Sequence, residues 1–241
     1  MQWCADSIRV SRLENGAALA VERIGQPLLR YNHELRFVQE ASLWAWGVRG
    51  RPQALMAMEV SRTGISSPKA HYTCVSLADG PLTLDRSLPE WHWAPQTPGV
   101  KLKQLAGAPA PHQSEQGRFE QMKTLVARFS AVEVQRQDFK VALHLLPQAT
   151  YRYSELPSGL IDGALFFIAQ RGAPEVVVVL EAHREEDASK WFYALARLTQ
   201  IGLSVSLDDR EIWTAPSDRR PAADELYWIA PPEMYSSGTL K

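Results

Sequence analysis

Two carboxylates and a histidine in the second half of the chain have the types and spacing that could do chemistry. Asp162 opens one apolar run, and Glu181 closes the next, two residues before His183. If the two runs form an antiparallel hairpin, their ends meet and the carboxylates lie close together. Paired carboxylates hold Mg²⁺, which orients a phosphate and activates water. These three residues are the candidate catalytic set.

The order of the flanking elements is similar to that of the Asp/Glu-x-Lys nuclease superfamily. In that superfamily a helix and a strand precede a strand with Asp and a strand ending in Glu-x-Lys. The acids bind Mg²⁺, and the lysine helps to activate water. Residues 115–183 resemble this order, except that His183 stands at the lysine position. The resemblance implies a Mg²⁺-dependent nuclease or phosphodiesterase.

A structural role accounts for the same acids. Glu181 ends an apolar strand, and a buried carboxylate there needs a charged or hydrogen-bonding partner. Glu59 ends a similar run in the first half of the chain. The leading partners are Arg30 and Arg152, because these arginines recur at the same spacing as the two glutamates.

The recurrence is part of a longer internal match. Residues 151–184 align with residues 29–62 without a gap, and eight of the 34 positions are identical, where chance gives about two. The identical pairs are Arg30/Arg152, Tyr31/Tyr153, Leu43/Leu165, Arg49/Arg171, Gly50/Gly172, Pro52/Pro174, Glu59/Glu181 and Arg62/Arg184. A match over this length predicts two copies of one supersecondary unit.

Two tryptophan pairs offer a different chemistry. Trp44 and Trp46 share one face of a predicted strand, as do Trp91 and Trp93. If the rings are exposed, each pair can stack on sugar rings or nucleobases. If they are buried, they belong to the core of a layered β fold.

The histidines show no metal-binding spacing. No two stand as His-x-His or His-x-x-x-His, so we expect no metal site; they are His33, His71, His92, His112, His144 and His183. The chain also lacks a Gly-x-Ser-x-Gly motif, a phosphate-binding glycine loop and a dinucleotide-binding fingerprint. The sequence therefore favours a non-catalytic protein without a cofactor, with Mg²⁺ implied only by the nuclease alternative.

Composition is typical of a cytoplasmic globular protein. The chain has 241 residues, 45% apolar residues and a net charge of −1, which suits a sizeable core and does not indicate a nucleic-acid binder. Cys4 and Cys74 are too few and too distant for a disulfide framework, which favours a reducing compartment. We find no secretory signal pattern, and the longest aliphatic run is too short to span a bilayer.

Strands and one helix are expected to position these residues. Residues 8–23 predict a hairpin with Asn15-Gly16 at its turn. Residues 115–132 predict an amphipathic helix capped by Ser114, with Arg118 off its apolar stripe and facing solvent. We expect no equivalent helix in the first copy.

Two further segments are predicted to be strands. Residues 191–198 suit a helix by composition, but their counterpart at 71–77 is rich in strand-forming residues, so a strand is predicted for both. Residues 165–168 and 176–180 are continuously apolar, which predicts strands covered on both faces.

Three segments of the second copy resemble an uncharacterised family of bacterial proteins. They are Leu-Leu-Pro-x-x-x-Tyr-Arg-Tyr at 145–153, Asp-Gly-Ala-Leu-Phe at 162–166 and Tyr-Ala-Leu-Ala-Arg at 193–197. The family carries no assigned activity, so the resemblance implies no functional residues.

These patterns predict a β-rich α+β fold of two tandem antiparallel β repeats, with one amphipathic helix before the second. The predicted boundaries are 1–95 for the first repeat, 96–113 for a Pro/Gly/Ala-rich connector, 114–216 for the helix and second repeat, and 217–241 for a C-terminal tail. The leading functional hypothesis is a non-catalytic cytoplasmic module that binds a protein partner or a second copy of itself, and no membrane. The alternatives are a nuclease using Asp162 and Glu181, and a sugar or nucleobase binder using the tryptophans.

Overall fold

The computed structural model describes residues 1–14, 17–87, 89–136, 139–186 and 188–234, which form mostly antiparallel β-sheet. The β-rich character of the fold is confirmed. Residues 8–23 form the predicted hairpin, although its Asn15-Gly16 turn lies outside the described residues. Within the described ranges, no helix has the length and apolar character needed to cross a bilayer.

The first compact unit comprises residues 1–48 and 52–99 together with the C-terminal segment from Arg220. Its elements are α1 (Gln2–Asp6), β1 (Ile8–Glu14), β2 (Ala17–Arg23), β3 (Leu29–His33), β4 (Val38–Val48), β5 (Arg51–Ser61), β6 (Lys69–Ser76), β7 (Leu82–Ser87), β8 (Glu90–Trp93) and β19 (Tyr227–Met234). The strands form one nine-stranded sheet in the order β19-β6-β5-β4-β2-β1-β7-β8, with β3 beside β4.

The second unit comprises residues 100–219 and the short segment Arg49–Arg51. Its elements are β9 (Lys103–Gln104), α2 (Glu115–Val126), β10 (Phe129–Val134), β11 (Lys140–Ala142), β12 (His144–Leu145), β13 (Tyr151–Glu155), β14 (Leu160–Gln170), β15 (Ala173–Arg184), β16 (Ser189–Arg197), β17 (Gly202–Leu207) and β18 (Arg210–Ala215). They form a four-stranded sheet, β11-β10-β17-β18, and a six-stranded sheet, β12-β14-β15-β16-β9, with β13 beside β14.

The second unit's core lies between α2 and the β14–β15 hairpin. Met122 and Leu125 of α2 pack in one cluster with Phe166 and Val178. The intervening residues of both strands, such as Phe167, are also buried. The predicted burial of these apolar runs on both faces is therefore confirmed.

Helix α2 begins as predicted and ends earlier than predicted. The Ser114 Oγ accepts a hydrogen bond from the Gly117 amide at 3.1 Å, which confirms the N-cap. The helix ends at Val126 and not at Val132, because Phe129 begins β10 and pairs with Leu207 of β17. Strand pairing overrides the local helical pattern here.

Two other segments test the predictions of where helices occur. The first unit does contain a helix before β1, contrary to our expectation: α1 is five residues long and buries Cys4 and Ala5. The segment predicted to be a strand in spite of its helix-forming residues is the strand β16.

The C-terminal segment completes the first unit's sheet. In β19, Trp228 lies opposite Cys74 and Ala230 lies opposite Tyr72 of β6. Pro231 and Pro232 fall at the register shift that follows Ala230. Proline lacks an N–H group, so it is tolerated on an edge strand such as this one.

Candidate functional site

The β14–β15 hairpin positions Asp162 and Glu181 on opposite faces of the sheet. Asp162 lies opposite Ala182, and Glu181 lies opposite Gly163, and successive residues of a strand point to opposite sides. The prediction that the strand ends bring these two carboxylates together is wrong. A shared Mg²⁺ needs oxygens at about 2.1 Å from both acids, which this geometry does not offer.

A β-bulge is the reason for this separation. Next to the turn, Gln170 lies opposite Ala173, and that register, continued along the hairpin, would place Asp162 opposite Glu181. A register shift between Ile168 and Ala169 moves the pairing by one residue. A shift of one residue transfers a side chain to the other face relative to its partner strand.

Two arginines clamp Asp162. Arg152 donates to it from Nε at 2.9 Å and from Nη2 at 2.6 Å, and Arg118 donates from Nε at 2.7 Å. The expectation that Arg118 faces solvent is wrong, since only 12% of its side chain is exposed. Arg152 also lies 3.3 Å from Glu115, which is mostly exposed. The clamp fastens α2 to β13 and β14.

An open depression of about 340 Å³ lies beside this clamp. Its charged lining residues are Arg118, Arg152, Asp162 and Glu115. The two positive and two negative charges balance, and the arginines are held by the acids. The depression therefore does not select for an anion.

Glu181 is fully buried and accepts hydrogen bonds from several side chains. Arg51 donates from Nε at 3.0 Å and from Nη2 at 3.3 Å, and the Tyr153 hydroxyl donates at 2.9 Å. The His183 Nε2 lies 2.7 Å from Oε2. Burial by itself raises the pKa of Glu181, but the His183 hydrogen bond and the Arg51 charge bring that pKa below its ordinary value. The predicted pairing with Arg152 is wrong, because Arg51 supplies the guanidinium.

Gly163 makes room for Tyr153 in this arrangement. A Cβ added at Gly163 would lie 2.6 Å from the Tyr153 ring, which is closer than packed atoms allow. Burial, with the adjacent Glu181 charge, raises the pKa of Tyr153 well above its ordinary value. Tyr153 is therefore a neutral donor to Glu181.

The first unit has a matching tyrosine–glutamate contact. The Tyr31 hydroxyl donates to Glu59 at 2.9 Å, the same length and the same separation along the chain as the Tyr153–Glu181 bond. Glu59 is only half-buried. Arg30, its expected partner, is exposed, and the bond seen at Glu59 comes from Tyr31.

The repeated arginines at the ends of β5 and β15 use their backbones in the same way. The Arg62 amide donates to the Phe37 carbonyl at 3.1 Å, and the Arg184 amide donates to the Gly159 carbonyl at 2.8 Å. Both side chains are exposed. These positions therefore shape a corner of each unit.

The four candidate tryptophans lie in the first unit's core. Trp44 and Trp93 are completely buried, Trp46 is 1% exposed and Trp91 is 8% exposed. Stacking on a ligand requires an accessible ring face, which these rings do not offer. Trp44 and Trp46 stand two residues apart in β4, as do Trp91 and Trp93 in β8, so each pair shares a strand face as expected. All four belong to a single apolar cluster.

Arg51 and Arg118 are the site residues that sequence reasoning missed. Ala173 aligns with Arg51 in the internal sequence match, so the match gave no signal for Arg51. Arg118 follows the helical pattern of a solvated residue. The only indication in the sequence that Arg118 contacts the sheet was its position in the first turns of an amphipathic helix, which must pack on the sheet.

Comparisons with known proteins leave the site to be interpreted from its own geometry. No family model, no curated protein and no solved structure matches the chain, which is consistent with its resemblance to an uncharacterised family. Within the described residues, no three His, Cys, Asp or Glu side chains form a group suited to a metal ion.

Proposed function

We propose that the chain is a cytoplasmic protein-binding and assembly module, built from a duplicated β unit, and that its partner is a second copy of the chain. The contacts of the two candidate acids support a non-catalytic role. Asp162 and Glu181 hold arginines in place, and the groups that would have to cooperate in catalysis lie on opposite sheet faces. The buried free thiols of Cys4 and Cys74 fit a reducing compartment.

Matching turns support the duplication. Arg49 and Arg171 both have φ 49°, and the following glycines, Gly50 and Gly172, have φ 86° and 90°. Arginine rarely adopts such a conformation. Its occurrence twice, 122 positions apart, favours inheritance of one hairpin over coincidence.

The observation that carries the assembly proposal is the conformation of Phe37. This residue has φ 57°, in the left-handed region, and 57% of it is exposed. The second unit has Gly159 in the same place, with φ 83°. A left-handed backbone costs a bulky residue about 1–2 kcal/mol, so the first unit accepts strain to present an aromatic ring to solvent.

Two further exposed apolar side chains, Leu35 and Ile65, belong to the first unit. We call the surface formed by Leu35, Phe37 and Ile65 the Phe37 corner. Leu35 is 66% exposed and Ile65 is fully exposed. The Arg62 amide donates to the Phe37 carbonyl, and Ile65 follows Arg62 by three residues in the same loop. Concentrated apolar exposure of this kind marks interaction surfaces.

The charges around the Phe37 corner favour a second copy as its partner. Glu34 and Arg62 flank the apolar residues and are both exposed. In a two-fold interface each patch meets itself, so a patch with both signs can match its acid to the partner's base. Strand β3, which pairs only with β4 among the described strands, has a backbone edge next to this corner.

The test compares the self-association of the native chain with that of a Phe37→Gly variant by sedimentation velocity. Glycine relieves the strained backbone, so the variant should be as stable as the native chain or more stable by up to about 1 kcal/mol. It should nevertheless associate at least tenfold more weakly. Phe139→Ser removes a similarly exposed ring from the second unit and should leave association unchanged. A native chain that stays monomeric at every concentration would refute the proposal.

A further inference from the structure

A second open depression lies at one end of the four-stranded sheet in the second unit, and its volume is about 550 Å³. Its walls come from three segments: the connection between β10 and β11, the turn between β16 and β17, and the residues that follow β18. Sites for small molecules commonly have volumes of about 300–1,000 Å³. The depression therefore has the size of a binding site for a small organic molecule.

Gly202, the first residue of β17, is the point where these three segments meet. It lies opposite Val134, the last residue of β10, and its amide donates to the Ser217 Oγ at 2.9 Å. A Cβ added at Gly202 would lie 2.9 Å from the Val134 carbonyl oxygen and 3.4 Å from the Ser217 Oγ. Only a glycine lets the three walls approach each other so closely.

Backbone contacts fix two of these walls to each other. The Arg197 guanidinium donates to the Ile201 carbonyl at 3.1 Å and to the Pro216 carbonyl at 2.8 Å. The Asp218 amide donates to the Gln200 carbonyl at 2.9 Å. These walls are formed before any ligand binds, which lowers the cost of ordering the site.

The charged side chains that line the depression are two arginines, Arg136 and Arg219, and none of its described lining residues is acidic. Both arginines are exposed, and neither forms a salt bridge with a described acid. The depression beside the Asp162 clamp differs, because acids hold its arginines. A guanidinium group binds phosphate oxygens through paired N–H groups. The lining therefore favours an anion with several oxygens.

An exposed aromatic ring lines the same depression. Phe139 is 64% exposed, and its amide donates to the Arg136 carbonyl at 3.4 Å, which keeps the two residues together at the end of the hairpin. An accessible aromatic face stacks on a nucleobase of any kind. The Ser217 hydroxyl, which already accepts from Gly202, still has its proton to donate.

We propose that this depression binds a mononucleotide. Arg136 and Arg219 bind its phosphate group, and Phe139 stacks on its base. One ring and two guanidinium groups match one base and one phosphate, whereas a polynucleotide needs a row of such elements. The binding goes beyond the assembly function and does not depend on it.

The experiment measures the affinity of the native chain for AMP by ligand-observed saturation-transfer NMR. Adenosine, ribose 5-phosphate and inorganic phosphate are titrated in parallel. AMP should bind with a Kd of about 1 mM or lower. Adenosine and ribose 5-phosphate should each bind about tenfold more weakly, because one lacks the phosphate and the other lacks the base.

Variants at exposed positions separate the two halves of the ligand. Arg219→Gln should weaken AMP binding about tenfold and bring it close to that of adenosine. Phe139→Ser should also weaken AMP binding about tenfold, but it should leave the affinity for ribose 5-phosphate unchanged. Simple attraction between opposite charges would not produce this division.

Two control variants should bind AMP like the native chain. Arg210→Gln removes the same charge from an exposed position of the same sheet that does not line the depression. Phe37→Gly changes the surface proposed for self-association, so nucleotide binding and assembly can fail separately.

Three results would overturn the proposal. AMP binding no tighter than that of ribose 5-phosphate would show that the base is not recognised. Equal losses in Arg219→Gln and Arg210→Gln would show that the depression is not the site. A short single-stranded RNA that binds about tenfold tighter than AMP, or more, would assign the surface to a nucleic acid.

Discussion

The Tyr31–Glu59 and Tyr153–Glu181 contacts are the same bond in two different environments. Each joins a tyrosine hydroxyl to a glutamate at 2.9 Å, 28 positions further along the chain. Glu59 is half-buried, whereas Glu181 is completely buried and is also held by Arg51 and His183. The comparison shows that the same tyrosine–glutamate hydrogen bond can form at a half-buried acid and at a fully buried one. The fully buried acid has additional hydrogen-bond donors.

The two units differ in a similar way at the position of Asp162. The aligned residue in the first unit is Glu40, which is exposed, whereas Asp162 is buried under two arginines. The helix α2 supplies one of these arginines. At this aligned position the first unit has a surface acid, and the second unit has the acid that anchors α2.

The largest effect is expected from Glu181→Gln compared with Glu59→Gln. Loss of the Glu181 charge leaves Arg51 without its anion in a buried site, which should destabilise the chain by about 3–5 kcal/mol. The same change at Glu59 removes one half-buried charge and should cost about 1 kcal/mol. Urea unfolding of both variants measures the difference. Equal losses would show that burial does not distinguish the two contacts.

A smaller contrast is expected between Asp162→Asn and Glu40→Gln. The asparagine cannot neutralise Arg118 and Arg152, but these arginines are 12% and 25% exposed and reach water, so the loss should be about 2–3 kcal/mol after that screening. Glu40→Gln should change stability by less than about 0.5 kcal/mol. The same unfolding assay gives both values. An Asp162→Asn variant as stable as the Glu40→Gln variant would mean that the clamp does not anchor α2.

The internal match made part of this site predictable from sequence. It paired Tyr31 with Tyr153 and Glu59 with Glu181, and those residues do form equivalent contacts. It also led to the correct prediction that β16 is a strand, where local composition alone favoured a helix. Two aligned segments can be compared when a secondary structure is predicted. The strand-forming residues of one segment then outweigh the helix-forming residues of the other.

The remaining features depend on events that leave little trace in the sequence. The register shift leaves Glu175 of β15 unpaired between Pro174, opposite Ala169, and Val176, opposite Ile168, and it moves Asp162 to the face opposite Glu181. Pro174 is compatible with a bulge, but a proline beside a hairpin turn does not by itself place one. Arg51 lies 130 positions from Glu181 and has no repeated counterpart. Long-range pairing of that kind is set by the tertiary fold, not by local pattern.

The central claim is that a tyrosine–glutamate hydrogen bond stabilises each of the two units. Double-mutant cycles test this claim most directly. Urea unfolding would be measured for Tyr31→Phe with Glu59→Gln, for Tyr153→Phe with Glu181→Gln, and for all the single variants. We expect a stabilising coupling in both cycles, about 0.5–1 kcal/mol in the first unit and about 1.5–3 kcal/mol in the second. A coupling indistinguishable from zero in either cycle would contradict the claim.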